Sequence, residues 1–440
     1  MNRSNTRKIY FRDDSVEEEV ERKRKHQAPD SFQNAIGPII VVAQCLGIMP
    51  VIGILTNDRN AVKFKWMAVR TIYSLLVLTG GISELMLTIY RIHNFGLNLI
   101  NAESLTFFSI TTTGQIFFIN LARRWPKLIR CWDRAESIFL TRPYRTHGWR
   151  LDCKMKILCF IWVALAASEY SGYVTMTLIG INGALNECPG TNVTIQEVFF
   201  ESQRTHIFYW IRFHDWMIPF LLLINMSLTF CWTYLDLFIM LVGISLAARF
   251  NQVTDRIKRM ENMIIPESFW TEIRSHYLLL NELVLYVDDR LSLILLLSCA
   301  SNLYFVCLQL FNSFTSNYSD VISTVFFWYS LLFVMGRAVC VILCVSSINE
   351  ASKGSLRILR TVPTKHWSIE LARFASSISK DTIALTGRKF FYITKRLILV
   401  MAGTVVTYEL VVFDQVDKDN ASAGETGTHP CNWTFRQYHL

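Results

Sequence analysis

Five ionisable side chains stand inside otherwise apolar runs of this sequence: Glu84, Glu169, Asp236, Arg337 and Glu409. A charge in such surroundings is costly, so it pairs with another group or serves a ligand or ion. At about 1.5 Å of helix per residue, Asp236 lies roughly 28 Å beyond the start of its run and Arg337 roughly 24 Å beyond the start of its own. Their similar depth predicts a structural ion pair, with a gating contact or no contact as the alternatives. Glu169 shares a helix face with Tyr173, four residues on. Thr112, Asp215, Trp216, Tyr304, Gln309, Trp328 and Tyr329 add hydroxyls, an amide, a carboxylate and flat rings in or at the ends of other runs. Carboxylates and amides beside aromatic faces suit a sugar, whose hydroxyls want directional hydrogen bonds and whose C–H faces want a ring to stack on. The plainer reading is that Trp and Tyr gather at membrane interfaces whatever binds there.

Nothing in the sequence points to catalysis. Ser, His and Asp are scattered over both flanks of the apolar runs, no glycine-rich phosphate loop occurs, and no His pair has metal-ligand spacing. Of eleven Cys residues, most (Cys45, Cys159, Cys231, Cys299, Cys307, Cys340, Cys344) lie in apolar runs, where they act as small hydrophobes. No enzyme, cofactor or metal is expected.

The elements that must position these residues are membrane helices. Of 440 residues, 52% are hydrophobic and only 18% charged, with 30 Phe, a balance that fits lipid as solvent. Apolar runs cover about 36–55, 67–90, 104–122, 156–181, 217–247, 291–311, 321–346 and 397–413, and roughly 20 such residues cross a bilayer. The first holds Gly37, Pro38, Gly47, Pro50 and Gly53, and basic residues flank it on both sides (Arg22 to Lys25, then Arg59, Lys63 and Lys65). A re-entrant or interfacial helix is therefore expected there instead of a span.

The net charge of +9 is spread over alternate connections, which is how topology is written, and not over one nucleic-acid-binding patch. The connections after Arg123, after Arg249 and around 353–395 are basic, whereas the sequons at Asn192, Asn317, Asn420 and Asn432 fall in segments poor in Lys and Arg. The expectation is an all-α polytopic membrane protein with seven transmembrane helices, its N-terminus cytoplasmic and its C-terminus extracellular. The domains are a cytoplasmic arm over 1–35, the re-entrant or interfacial helix over 36–55, a ligand-binding six-helix bundle with cytoplasmic helical extensions over 67–346, a cytoplasmic amphipathic helix over 347–395, a pore-lining helix over 396–415 and an extracellular tail over 416–440. Stripes at helical spacing, Ile273, Tyr277, Leu280 and Val284, then Leu371, Phe374, Ile378 and Leu385, read either as intramolecular core or as a subunit-joining domain. Cys188 and Cys431 fall outside the membrane on the extracellular side, where a disulfide between them stays an open option.

Near the C-terminus, Thr407-Tyr408-Glu409 is followed by Leu410, Val411, Val412 and Phe413. Upstream stand Leu297-Ser298-Cys299, Asn302 to Cys307, Phe327-Trp328-Tyr329-Ser330 and Gly336-Arg337. These stretches resemble insect gustatory receptors, the sugar-sensing branch, over most of the membrane region. The resemblance implies a taste receptor of the plasma membrane: a sugar-gated, non-selective cation channel, a homotetramer or a hetero-oligomer with related receptors, each subunit lending its last helix to a central pore. On that helix Val411, Asp414 and Gln415 share a face; Val411 is then a dewetting constriction and Asp414 a ring of carboxylates. Family members usually place Gln-Phe where this chain has Asp414-Gln415, a departure at the expected pore mouth. The rival readings are a seven-helix receptor acting through a cytoplasmic partner and a secondary transporter, which the absence of internal repeats disfavours.

Overall fold

The computed structural model describes residues 30–56, 59–96, 99–144, 150–187, 194–260, 263, 265–315, 321–363 and 367–420. Among them the fold is all helical, with two isolated bridges and no strand. Asn192, Asn317, Asn432, Cys188 and Cys431 lie outside the described residues, and Asn420 ends the last helix.

Helix α1 (Phe32–Cys45) starts at Ser31, whose hydroxyl accepts from the Asn34 backbone N–H. It stops ten residues before its apolar run does. Gly47 (φ 72°) turns the chain back, and a Cβ there would stand 2.9 Å from the Val77 side chain, so only glycine fits. Gln44 then holds the returning chain, donating to the carbonyls of Met49 (3.2 Å) and Val51 (2.8 Å). The helix is sunk into the bundle: Phe32, Ala35, Ile36 and Ile40 are fully buried, and Phe32 stacks on Trp132 at 3.9 Å. Its first turn is tied down by Glu136, which accepts from the Phe32 N–H and pairs with Arg249 at 2.6 Å, while Arg249 also donates to the Asp30 carbonyl.

Among the described residues five helices are long and apolar enough to cross a membrane: α2 (Val69–Phe95), α3 (Leu99–Glu136), α7 (Ile218–Arg259), α8 (Glu267–Thr315) and α9 (Val321–Leu359). With α4 (Leu151–Glu187) and the terminal α11 (Arg396–Asn420) they make the seven long helices of the bundle. Between α4 and α7 lie two short helices, α5 (Ile195–Gln203) and α6 (Thr205–Phe208). Helix α7 is the central post, with Leu235 to Val242 all at most 1% exposed. Its backbone meets α9 directly, because a Cβ on Gly243 would come within 2.9 Å of the Cys344 carbonyl; small residues permit such crossings in lipid.

At 49 residues α8 runs about 73 Å, more than twice the hydrocarbon thickness. Its excess packs at the basic end of the bundle with α10 (Ile369–Lys380), where Tyr277 and Phe374 meet edge to face at 5.3 Å and Ile273, Leu280, Leu371 and Ile378 are fully buried. The periodic stripes thus lie within the chain's own core. The stretch 347–395, expected as one amphipathic helix, is instead the end of α9, then α10 capped by Ser368, then extended chain closed by an Ile393 N–H to Leu385 carbonyl bond of 2.9 Å. Asp288 fixes that turn by accepting from the Thr386 N–H (2.6 Å) and hydroxyl (2.8 Å).

Also at the basic end, the Tyr144 hydroxyl and His276 Nδ1 lie 2.6 Å apart. Burial pushes the Tyr144 hydroxyl up to about 12, so it keeps its proton at neutral pH. Burial, together with Arg256, holds His276 below its ordinary value of 6.5, against the opposing pull of Glu272. Below that ordinary value the unfolded chain takes up a proton that the folded one refuses, until the depressed value is passed. Stability should therefore fall as the pH drops through about 6.5, the ordinary histidine value, and His276→Gln should flatten part of that decline in melting scans.

Candidate ligand cavity and terminal helix

At the end of the bundle opposite α10, a cavity of about 700 Å³ opens between α3, α4, α7, α8 and α9 beneath α5. That volume lies within the range of small-molecule sites. Three hydrogen-bonded chains form its polar wall. On one side Ser330 donates to Glu169 (3.1 Å) and Gln309 donates to Ser330 (3.3 Å), joining α4, α8 and α9. Above them Tyr173 donates to Gln203 at the end of α5 (2.8 Å). Across the cavity Arg204 donates to Asn225 (2.6 Å), and Asn225 donates to the Tyr170 hydroxyl (2.9 Å). The apolar wall is aromatic: Phe107 and Phe108 on α3, Phe199 and Phe200 on α5, Phe326 and Phe327 on α9.

The floor is Trp232, tilted against Phe305 at 4.8 Å. Under it the Arg337 guanidinium lies 3.8 Å from the Trp232 ring centroid and donates to the Trp232 carbonyl (2.9 Å). Arg337 Nε then reaches Asp236 at 2.6 Å, both side chains at most 1% exposed. Asp236 is completed by the Ser298 hydroxyl (2.5 Å) and the Asn302 amide (3.2 Å to each oxygen). A charged pair at this depth is tolerable because every lone pair is met.

The short helices α5 and α6, which lie over the cavity as its lid, are pinned by a charge that the sequence leaves unassigned. Glu84 on α2 is 2% exposed and holds Arg204 at 2.9 Å, with His206 against its other oxygen. Arg204 also packs over the Phe108 ring at 5.2 Å. Glu84 is visible in the sequence as an intramembrane acid, but its two partners sit in the long connection before α7 and carry no periodic signal.

Of the residues expected to form the pocket, Glu169, Tyr173 and Gln309 line it. Thr112 faces α2, its hydroxyl close to Gly81. Asp215 and Trp216 are exposed in the turn that starts α7. Tyr304 packs beside the Phe305 cluster, Trp328 is exposed, and the Tyr329 hydroxyl bonds Ser168 at 2.6 Å on the outer surface.

On α11 the residues Leu397, Ile398 and Met401 pack on the main core, and Val405 packs on the cluster of Phe305, Val334 and Ala338 below the cavity. Leu399, Val400, Val406, Tyr408, Leu410 and Val411 face outward, Val411 at 59% exposure. Thr407 donates to the Gly403 carbonyl, and both Glu409 oxygens are buried without a hydrogen-bond partner among the described residues. Asp414 and Gln415 lie on the helical backbone of α11.

Seven long helices among the described residues, five of them surrounding a ligand-sized, polar and aromatic cavity, define a multi-pass membrane protein. Sequence comparison makes this particular. The family described as Trehalose receptor matches residues 14–424, and the chain belongs to it, within the sugar-sensing branch of insect gustatory receptors. It is 34% identical over 394 residues to "Gustatory receptor for sugar taste 64b" of Drosophila melanogaster, covering 88% of this chain and 96% of that one. To "Gustatory receptor 5a for trehalose" of the same fly it is 33% identical over 397 residues, covering 90% and 88%. These relatives are receptors and not enzymes. The fold is shared with the solved insect olfactory receptor OR5 from Machilis hrabei (TM-score 0.58, 14% identity, 90% of this chain and 98% of that one) and with the same receptor in complex with eugenol (0.57, 15%, 91% and 100%).

Proposed function

We propose that this chain is a sugar-gated, non-selective cation channel, assembled as a tetramer of itself or with a related receptor, in which the ligand enters the cavity between α3, α4, α7, α8 and α9. Its N-terminus is cytoplasmic and its C-terminus extracellular, in keeping with the basic end at α10. Sugar as the ligand class is supported by the named relatives and by the wall chemistry: a carboxylate (Glu169), amides (Gln309, Asn225) and ring faces around one volume. The observation that carries the channel reading is the continuous packing from cavity floor to terminal helix, because Trp232 and Phe305 share one cluster with Val405 of α11. A ligand held by Glu169 and resting on Trp232 shifts that layer, and α11 moves with it. The outward face bearing Val411 turns towards the other copies and forms the constriction, with Asp414 and Gln415 beyond it on the same face. Binding shifts the open population only by as much as the sugar prefers the open form.

Purified protein in a planar bilayer should pass unitary cation current on addition of sugar. Glu169→Ala should lose that response, at least tenfold in half-effective concentration, since it removes a charged hydrogen-bond partner worth about 1.5–3 kcal/mol. Current that never responds to any sugar, from monodisperse protein, would overturn the channel reading.

A further inference from the structure

At the basic end, the segment that returns from α1 lies along α3 and carries an unusual surface. Lys63, Lys65, Arg123, Arg124 and Lys127 are all exposed, and among the described residues none of them meets a carboxylate. No Asp or Glu occurs anywhere in 59–83 or 104–132, and the acid of the neighbouring α8 that reaches this end of α3, Glu282, acts at Cys131 together with Lys127 without pairing with it. The patch is held in shape. The Arg123 guanidinium sits 5.3 Å over the Trp66 ring, and Trp66 meets Phe64 edge to face at 5.0 Å. The Thr71 hydroxyl donates to the Lys65 carbonyl (2.8 Å), and Arg70 is spent on Gln44 and the Val51 carbonyl. Lys63 and Lys65 are two residues apart in extended chain, about 7 Å, and Arg123 and Lys127 one helical turn apart, about 6 Å. Beside these cations Leu55, Met67 and Val69 are 65%, 89% and 82% exposed, at the point where α2 enters the bilayer.

Fixed cations over an exposed apolar rim at this depth match a lipid with a negative headgroup and acyl chains, and match neither nucleic acid, which needs no rim, nor a soluble anion. We propose that Lys63, Lys65, Arg123, Arg124 and Lys127 form a binding surface for anionic phospholipid headgroups of the adjoining leaflet, with Leu55, Met67 and Val69 seated among the chains. The leaflet is the cytoplasmic one if the orientation proposed above holds; the chemistry of binding does not depend on it.

The test uses the full chain in nanodiscs, where both faces are accessible, so orientation cannot mask the result; the sidedness of a terminal tag in cells reads orientation separately. Phosphatidylcholine discs with and without phosphatidylserine or phosphatidylinositol bisphosphate are compared by retained lipid in native mass spectrometry. Anionic lipid should be enriched, more so for the bisphosphate, and less at high salt. Lys63→Gln with Lys65→Gln should lower apparent affinity about 25-fold, and Arg123→Gln, Arg124→Gln and Lys127→Gln together about 125-fold, at roughly fivefold per charge. Lys63→Arg with Lys65→Arg should retain it, which keeps the test decisive if a Gln variant fails to fold. Equal lipid retention in wild type and Gln variants, or no anionic preference in the wild type, overturns the proposal.

Discussion

Arg337→Met should cost about 3–5 kcal/mol of folded stability, the usual penalty for leaving a buried charge without its partner. The side chain of Asp236 is fully buried, so its carboxylate has no water to fall back on, and Ser298 and Asn302 supply neutral donors only. Met keeps the length and apolar bulk over Trp232 while removing both the charge and the bond to the Trp232 carbonyl. Against a total of about 5–15 kcal/mol for a typical domain, the expected result is a large drop in monodisperse yield and a lowered melting temperature. Asp236→Asn in the Arg337→Met background should recover most of it, since an amide can still bond Ser298 and Asn302. Exchanging the two charges should rescue poorly: an Asp at 337 would face the Trp232 carbonyl, acceptor against acceptor. Wild-type yield and melting in Arg337→Met alone would show that the pair is not structural.

That pair was legible because depth along a helix follows from residue count and needs no knowledge of rotation. Rotation is what sequence withholds. On α9 the cavity face is Phe327, Ser330 and Val334, at helical spacing, and Trp328 and Tyr329 lie one and two residues out of phase, which turns them towards lipid and α4. Nothing in an apolar run with aromatics all round says which side is inward. The same holds on α8, where Phe305, Leu308, Gln309 and Asn312 point inward and Tyr304 is turned aside. Glu169, Tyr173 and Gln309 line the cavity because polar groups at mid-bundle depth have few tolerable places to go. The helices and their ends were readable from hydropathy, except where left-handed backbone at Gly47 ended α1 early, and where Asp288 and the Leu385–Ile393 closure replaced helix after α10. Arg204 and His206 were not, because their partner is fixed only once α5 and α6 fold back over α2.

Arg204→Met should weaken the sugar response by about 10–150-fold, because α5 and α6 are then held less firmly over the cavity. The guanidinium joins three elements at once: Glu84 on α2, Asn225 on α7 and, through Asn225, Tyr170 on α4. A charge-assisted hydrogen bond is worth about 1.5–3 kcal/mol net, and a closed lid counts in binding because it pre-orders Gln203 and Tyr173. One such bond corresponds to roughly 10–150-fold in affinity. The variant also strands Glu84 beside His206 alone, so folding losses must be separated from lid losses. Glu84→Gln with Arg204→Met removes the stranded charge; it should restore yield and melting but not sugar sensitivity, because the span from α2 to α4 stays broken. Half-effective sugar concentration, normalised to surface protein, is the measurement. If the double variant regains wild-type sensitivity, Arg204 serves only to neutralise Glu84, and the lid closes the cavity by apolar packing alone.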